Sequence, residues 1–204
     1  SNINASEKMI DTELKGLEIL KKSKTIYIPQ SIAYEHNYLM MEFIEKESPS
    51  NILWEDFGRD LSELHKVSNI NFGLDHNNFI GSLPQDNKQQ LRWSDFFINQ
   101  RIIPQLSMGD FSSDIIKDFD KLFLKIDALF PNEPSSLLHG DLWNGNFIFL
   151  NNKTALIDPA VYFGFREMDI AMSKLFGGFD DRFYSSYNEQ NPLSDGWKDR
   201  LDLC

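Results

Sequence analysis

One stretch constrains this chain more than any other: residues 135–169, SSLLHGDLWNGNFIFLNNKTALIDPAVYFGFREMD. Two short apolar runs, 147–150 and 154–157, flank the polar Asn151, Asn152 and Lys153. Apolar runs of strand length around turn-forming residues predict a β-hairpin. A hairpin centred on Asn152 sets Asn146 opposite Asp158, each six residues from the centre. Directly opposed residues hold their Cβ atoms about 4.5–5.5 Å apart. An amide oxygen and a carboxylate then converge at the open end. Asp141 stands five residues before Asn146, on the loop that feeds the same strand.

These residue types in this order suit phosphoryl transfer. Asn146 and Asp158 offer hard oxygen ligands to Mg²⁺, which takes few protein ligands and fills its shell with water and phosphate. Asp141 is placed to orient and deprotonate a hydroxyl beside the metal-bound phosphate. The D-x4-N spacing, a hairpin and then Asp is the catalytic-loop pattern of the protein-kinase fold. Gly140 stands where protein kinases commonly carry Arg, and Pro-Ala follows Asp158 where they carry Phe-Gly. Both changes point to the branch that phosphorylates small molecules. Asp and Asn beside Gly are also ordinary turn formers, but a turn does not explain three polar residues at this spacing around two strands. His139 reads as a brace for the loop rather than a proton carrier. Asp169, near the start of a helix, is either a cap or a buried anchor for the catalytic-loop backbone, and we read it as the anchor.

The rest of the chain reads as α+β in two lobes, with the boundary near residues 45–50. Met9, Ile10, Glu13, Leu17 and Leu20 predict a helix over 6–23, with Ser6 as a possible N-cap. Strands are expected at 25–34, interrupted at Pro29, and at 37–44. One helix and two strands are too little for their own core, so further strands are expected before Ser1. Leu53, Trp54, Phe57, Leu61 and Leu64 put an apolar face on a helix over 51–67. Helices over 91–106 and 111–130 follow, the second with an inward face of Ile115, Phe119, Leu122, Phe123, Ile126 and Leu129.

Charge narrows the partners. The 204 residues carry a net charge of −11, which repels nucleic acid and anionic membranes. ATP is repelled too, so a nucleotide site needs a metal and local cations. Cys204 is the single cysteine, which leaves no disulfide within the chain and fits the reducing cytoplasm. No apolar run approaches the roughly 18–20 residues of a membrane span. The first residues lack a signal-peptide pattern and an initiator Met, and the chain stops at DRLDLC. Both ends read as cuts through something longer.

Longer motifs carry a resemblance. HGDLWNGN at 139–146 and IDPAVYFGFREMDIAMSKLFGGFDDRFYSSY at 157–187 are the most specific. FGLDHNNFIGSLPQDN at 72–87 supports them, as do Trp93, Phe96, Phe97 and Arg101 in a W-x2-FF-x3-R pattern, GRDLSELH at 58–65 and ELKGL at 13–17. Through these motifs the chain resembles the fructosamine kinases, or ketosamine 3-kinases, in the aminoglycoside-phosphotransferase-like branch of the protein-kinase fold. The resemblance implies a two-lobed kinase fold: residues 1–47 from a truncated ATP-binding lobe, 48–204 a mostly helical catalytic lobe with a catalytic hairpin, incomplete at its C-terminal end. It implies ATP and Mg²⁺ as cofactors and a small-molecule or protein-bound ketosamine as substrate.

The same resemblance assigns roles. Asp141 becomes the catalytic base, with Asn146 and Asp158 as magnesium ligands. Glu13 becomes the helix carboxylate that pairs with the nucleotide-binding Lys. Met41, Glu42, Phe43 and Ile44 become the hinge against adenine, or a plain buried strand. Asn78, Gln85, Asn87 and Trp143 could line the sugar pocket or brace loops, and Phe179 and Asp180 are similar candidates. The Gly-rich phosphate loop of such kinases and their strand Lys find no match in residues 1–50. Two other readings stand beside this one: a kinase of another small molecule, of aminoglycoside or choline type, and a nucleotide-binding module without transfer.

Overall fold

The computed structural model describes residues 7–35 and 37–204. Helix α1 (Glu7–Ser23) turns Ile10, Leu17 and Leu20 inward at helical spacing. Ser6, the expected cap, lies outside the described residues. Gly16 lets α1 ride close to the segment after Asp158, since a Cβ there would stand 3.3 Å from Val161 and 3.4 Å from Pro159. The expected strand over 25–34 is shorter. Tyr27 makes one isolated parallel bridge, and β1 (Ser31–Glu35) then pairs antiparallel with β2 (Tyr38–Met41). β2 stops at Met41 instead of reaching residue 44, and the chain runs irregularly to α2 (Asn51–Lys66), whose first turn is capped by the Ser50 side chain.

A small hairpin, β3 (Asn78–Ile80) and β4 (Leu83–Gln85), turns through Gly81 at φ +54°. The helix expected over 91–106 starts at α3 (Trp93–Phe97), passes a π-helical turn at Ile98–Ile102, and continues as α4 (Ile103–Met108). The helix expected over 111–130 is two: α5 (Ser113–Phe123) and α6 (Ile126–Leu129). Of its predicted inward face, Ile126 alone is buried; Ile115 and Leu129 are exposed, and no α5 residue is buried. Periodicity fixes which side of α5 is apolar, but the apolar side meets no close-packed partner.

The segment with the candidate site residues follows. Strand β5 (Ser136–Leu138) leads to the loop 139–146, then to β6 (Phe147–Leu150) and β7 (Lys153–Leu156). Strand β8 (Tyr162–Gly164) returns to pair with β5. Helices α7 (Glu167–Leu175), α8 (Asp181–Gln190) and α9 (Trp197–Arg200) complete the order. No helix among the described residues is long and apolar enough to cross a membrane.

One core joins the front of the chain to the hairpin. Leu17, Leu20, Ile26 and Ile28 pack with Phe57, Leu61, Phe149, Leu156 and Phe183. Trp54 meets Phe147 and Phe149 edge-on, with centroids 5.5 and 4.9 Å away. A second core gathers Phe72, Trp93, Phe96, Phe97, Phe130 and Phe165 under β5 and β8. Gly58 sits where α2 crosses α8: a Cβ there would fall 2.3 Å from the Phe183 carbonyl oxygen. The shared core holds α1, α2 and the hairpin around one opening, where the candidate residues gather.

Candidate active site

The hairpin register differs from the expected one by a residue. Leu150 faces Lys153, so the loop holds two residues, Asn151 and Asn152. Both adopt left-handed backbone, φ +41° and +60°, the conformation a tight hairpin turn demands and Asn tolerates. The pairing centre is therefore the bond between the two asparagines rather than Asn152 itself. Asn146 consequently meets Ile157, whose amide donates to the Asn146 carbonyl at 3.0 Å. Asp158 lies one residue further, itself left-handed at φ +52°. A left-handed non-glycine residue is a local strain that surrounding structure must hold in place.

Asp141, Asn146 and Asp158 nevertheless share one cavity of about 460 Å³. Asn146 Nδ2 donates to the Asp141 carbonyl at 2.8 Å and to Asp141 Oδ2 at 2.9 Å. Its amide nitrogen is thus committed, and Oδ1 is the remaining acceptor. Burial pushes the Asp141 carboxyl pKa up, while His139 and the Asn146 bond pull against that rise. Glu13, from α1, lines the same cavity. Burial, then the charge of Asp158 and a hydrogen bond with its side chain, push the Glu13 pKa up to about 7.

His139 is fully buried and engages backbone on both sides. Its Nε2 donates to the Ile157 carbonyl at 2.9 Å, and Nδ1 accepts from the Asp141 amide at 3.3 Å. The ring therefore ties the loop before Asp141 to the strand end before Asp158. Burial lowers its pKa, so it stays neutral. Gly140 crosses under Ala160 at φ +82°; a Cβ there would lie 2.1 Å from the Ala160 carbonyl oxygen. Asp169, fully buried, accepts from the amides of His139 at 2.8 Å and Gly140 at 2.9 Å. It also meets His65 Nε2 at 3.1 Å. Burial alone would raise its pKa, but the hydrogen bonds from His65 and the loop hold the carboxyl below its ordinary range.

The other candidates divide. Trp143 lines the cavity, lies over Gly145 and meets Phe176 edge-on, centroids 5.6 Å apart. Asn78 lines it too, but its side chain is engaged: Nδ2 donates to the Val161 carbonyl at 2.8 Å, and Oδ1 accepts from Asn87 Nδ2 at 2.9 Å. Asn87 is fully buried and accepts from Arg101 Nη2 at 2.7 Å. Asn87 and Gln85 do not line the cavity. Of the proposed hinge, Met41 alone lines it; Phe43 is 92% exposed, and Glu42 accepts from the Tyr27 hydroxyl. Asp180 caps α8, and Phe179 packs between Phe147 and Phe183.

A carboxylate tied to an amide, with a second carboxylate across one opening, under a loop gripped by a buried Asp, defines a phosphotransferase of the protein-kinase type. Solved structures share the fold. One named for a fructosamine-3-kinase of Thermobifida fusca superposes with a TM-score of 0.89 at 33% identity, covering 100% of this chain and 73% of that one. An aminoglycoside phosphotransferase, APH(2")-IIa with streptomycin and ATP, matches at 0.63 and 19% identity over 94% of this chain and 69% of its own, a likeness of fold alone. The fructosamine kinase family model matches residues 1–204. A probable ketoamine kinase of Synechocystis is 34% identical over 203 residues, 96% of this chain and 69% of its own. The protein-ribulosamine 3-kinase of Arabidopsis thaliana chloroplasts is 34% identical across 100% of this chain and 66% of its own. The chain belongs to the fructosamine kinase family, and it is a small-molecule kinase that uses ATP.

Sequence reasoning missed His65, Tyr187 and Arg101 as parts of the site's support. His65 and Arg101 stood in recognised motifs, but their partners lie 104 and 14 residues away. A buried histidine at the end of an amphipathic helix was the available signal for the first.

Proposed function

We propose that this centre transfers the terminal phosphoryl group of ATP to a hydroxyl on the sugar portion of a ketosamine, free or protein-bound. The observation that carries the reading is the Asp141–Asn146 lock beside Asp158 at one cavity. Asp141 acts as the base: its carboxylate accepts the proton of the attacking hydroxyl. Asn146 orients that carboxylate and keeps its own Oδ1 toward the opening. The donor set, one amide oxygen and one carboxylate, fits Mg²⁺. Magnesium, when bound, neutralises charge on the phosphates. Trp143, an aromatic face at the cavity wall, is the surface we assign to the sugar. Residues 1–47 belong, in this reading, to the nucleotide-binding lobe and 48–204 to the catalytic lobe. A reducing compartment suits the one cysteine, and the cytoplasm is the location we propose.

The test is ATP consumption with fructose-lysine or ribulose-lysine adducts, wild type against Asp141→Asn. Loss of a positioned base costs roughly 10²- to 10⁴-fold, and a fall of that size with unchanged ATP binding is the expected result. Turnover on an aminoglycoside or choline, with none on any ketosamine, would replace the substrate class. Undiminished turnover in Asp141→Asn would remove Asp141 as the base.

A further inference from the structure

The catalytic loop is gripped by a buried polar chain that extends well beyond the cavity. Asp169 holds the His139 and Gly140 amides, and His65 Nε2 reaches Asp169 Oδ2 at 3.1 Å. On the other edge of that imidazole, Nδ1 lies 2.8 Å from the Tyr187 hydroxyl. The two rings meet edge-on, centroids 5.5 Å apart. His65, Asp169 and Tyr187 are all buried. They come from α2, α7 and α8, so three helices meet beneath one loop.

A neutral imidazole carries one proton, and the bond at one nitrogen decides which nitrogen holds it. If Nδ1 held it, the Nε2 lone pair would face the Asp169 carboxylate. The Tyr187 hydroxyl can prevent this by donating to Nδ1. Burial raises its pKa, so it keeps its proton. The hydroxyl proton is then free to point at His65.

We propose that Tyr187 is a positioning residue for the catalytic loop: its hydroxyl donates to His65 Nδ1, fixing the tautomer whose Nε2–H holds Asp169 against the loop amides. This rests on the reading of Asp141 as base for its catalytic meaning, but not for its test. The plain alternative is that Tyr187 fills space in the α2–α8 core. Phenylalanine fills that space equally, so Tyr187→Phe separates the two.

The experiment needs no turnover. ¹⁵N NMR of the imidazoles should find His65 neutral in the wild type, its proton on Nε2. In Tyr187→Phe, hydrogen exchange at the His139 and Gly140 amides should accelerate roughly 5- to 10-fold more than at Leu20 and Leu61. In a His65→Gln background, where an amide donates to Asp169 with no tautomer to choose, adding Tyr187→Phe should change loop exchange by less than about 2-fold. A wild-type ring protonated on Nδ1, or on both nitrogens, overturns the proposal. So does equal acceleration everywhere, or none at the loop. If Tyr187→Phe fails to fold, the wild-type tautomer decides alone. Since ATP consumption enters none of these outcomes, failure here and failure of the kinase reading are separate results.

Discussion

Gly140 shows how closely the site is drawn. At φ +82°, with a virtual Cβ 2.1 Å from the Ala160 oxygen, no side chain fits without moving the loop from β8. Left-handed backbone costs an L-residue about 1–2 kcal/mol before any clash. Gly140→Ala is therefore expected to destabilise by at least about 2 kcal/mol, read as a lower denaturation midpoint with the slope unchanged. Asp141, Asn146 and Asp158 were legible because all lie within eighteen residues, where strand geometry limits the reach. His65 and Tyr187 were not, since a bond across 122 residues leaves no local pattern. Asn87 and Gln85 were placed among pocket candidates from their motif alone. The fold instead directs Asn87 inward to Asn78 and Arg101.

At the scale of elements, the hairpin was visible and its register was not. Period and turn residues reveal two strands, but a two-residue and a three-residue loop differ by one position, and that difference sets which residue meets Asn146. Helix α5 is the complementary case: an apolar stripe reports a preferred side, not a partner. The break between α5 and α6 and the π turn after α3 leave no trace in residue spacing. Helix α2 carries a testable charge effect. Burial, then Asp56 and Glu63, push the Asp60 pKa up to about 6 from an ordinary 3.8. The fold thus favours the protonated acid. Its advantage is complete below pH 3.8 and is lost as pH rises through 6. Asp60→Asn should therefore match the wild type in Tm near pH 4 and exceed it by a degree or more at about pH 7.5, measured by calorimetry across pH. Asp60 is partly open to solvent, which keeps the gain small.

For the whole molecule, the two-lobe expectation meets a shared core. Leu17 and Leu20 of α1 pack in the same cluster as Phe149 and Leu156 of the hairpin, so the front of the chain is held to the hairpin by burial. The net charge of −11 works against compactness, because like charges are crowded by folding. Screening lengths fall to about 10 Å at 0.1 M salt. Tm should accordingly rise between about 20 and 200 mM sodium chloride, followed by circular dichroism; a flat response would show that the charges are locally balanced. The fold class was legible because one hairpin with its flanking carboxylates admits few architectures, whereas the helix packing around it depends on contacts between distant segments.

The arrangement of tryptophans has an optical consequence. Trp54 lies against β6 of the hairpin, sandwiched among Phe147, Phe149 and Phe179. Trp143 stands 37% exposed at the cavity wall. One indole is a fluorophore embedded in the hairpin's own packing; the other is in contact with whatever occupies the opening. Two of the four tryptophans thus act as lamps for the site, one lit by the integrity of the scaffold and one by its cargo.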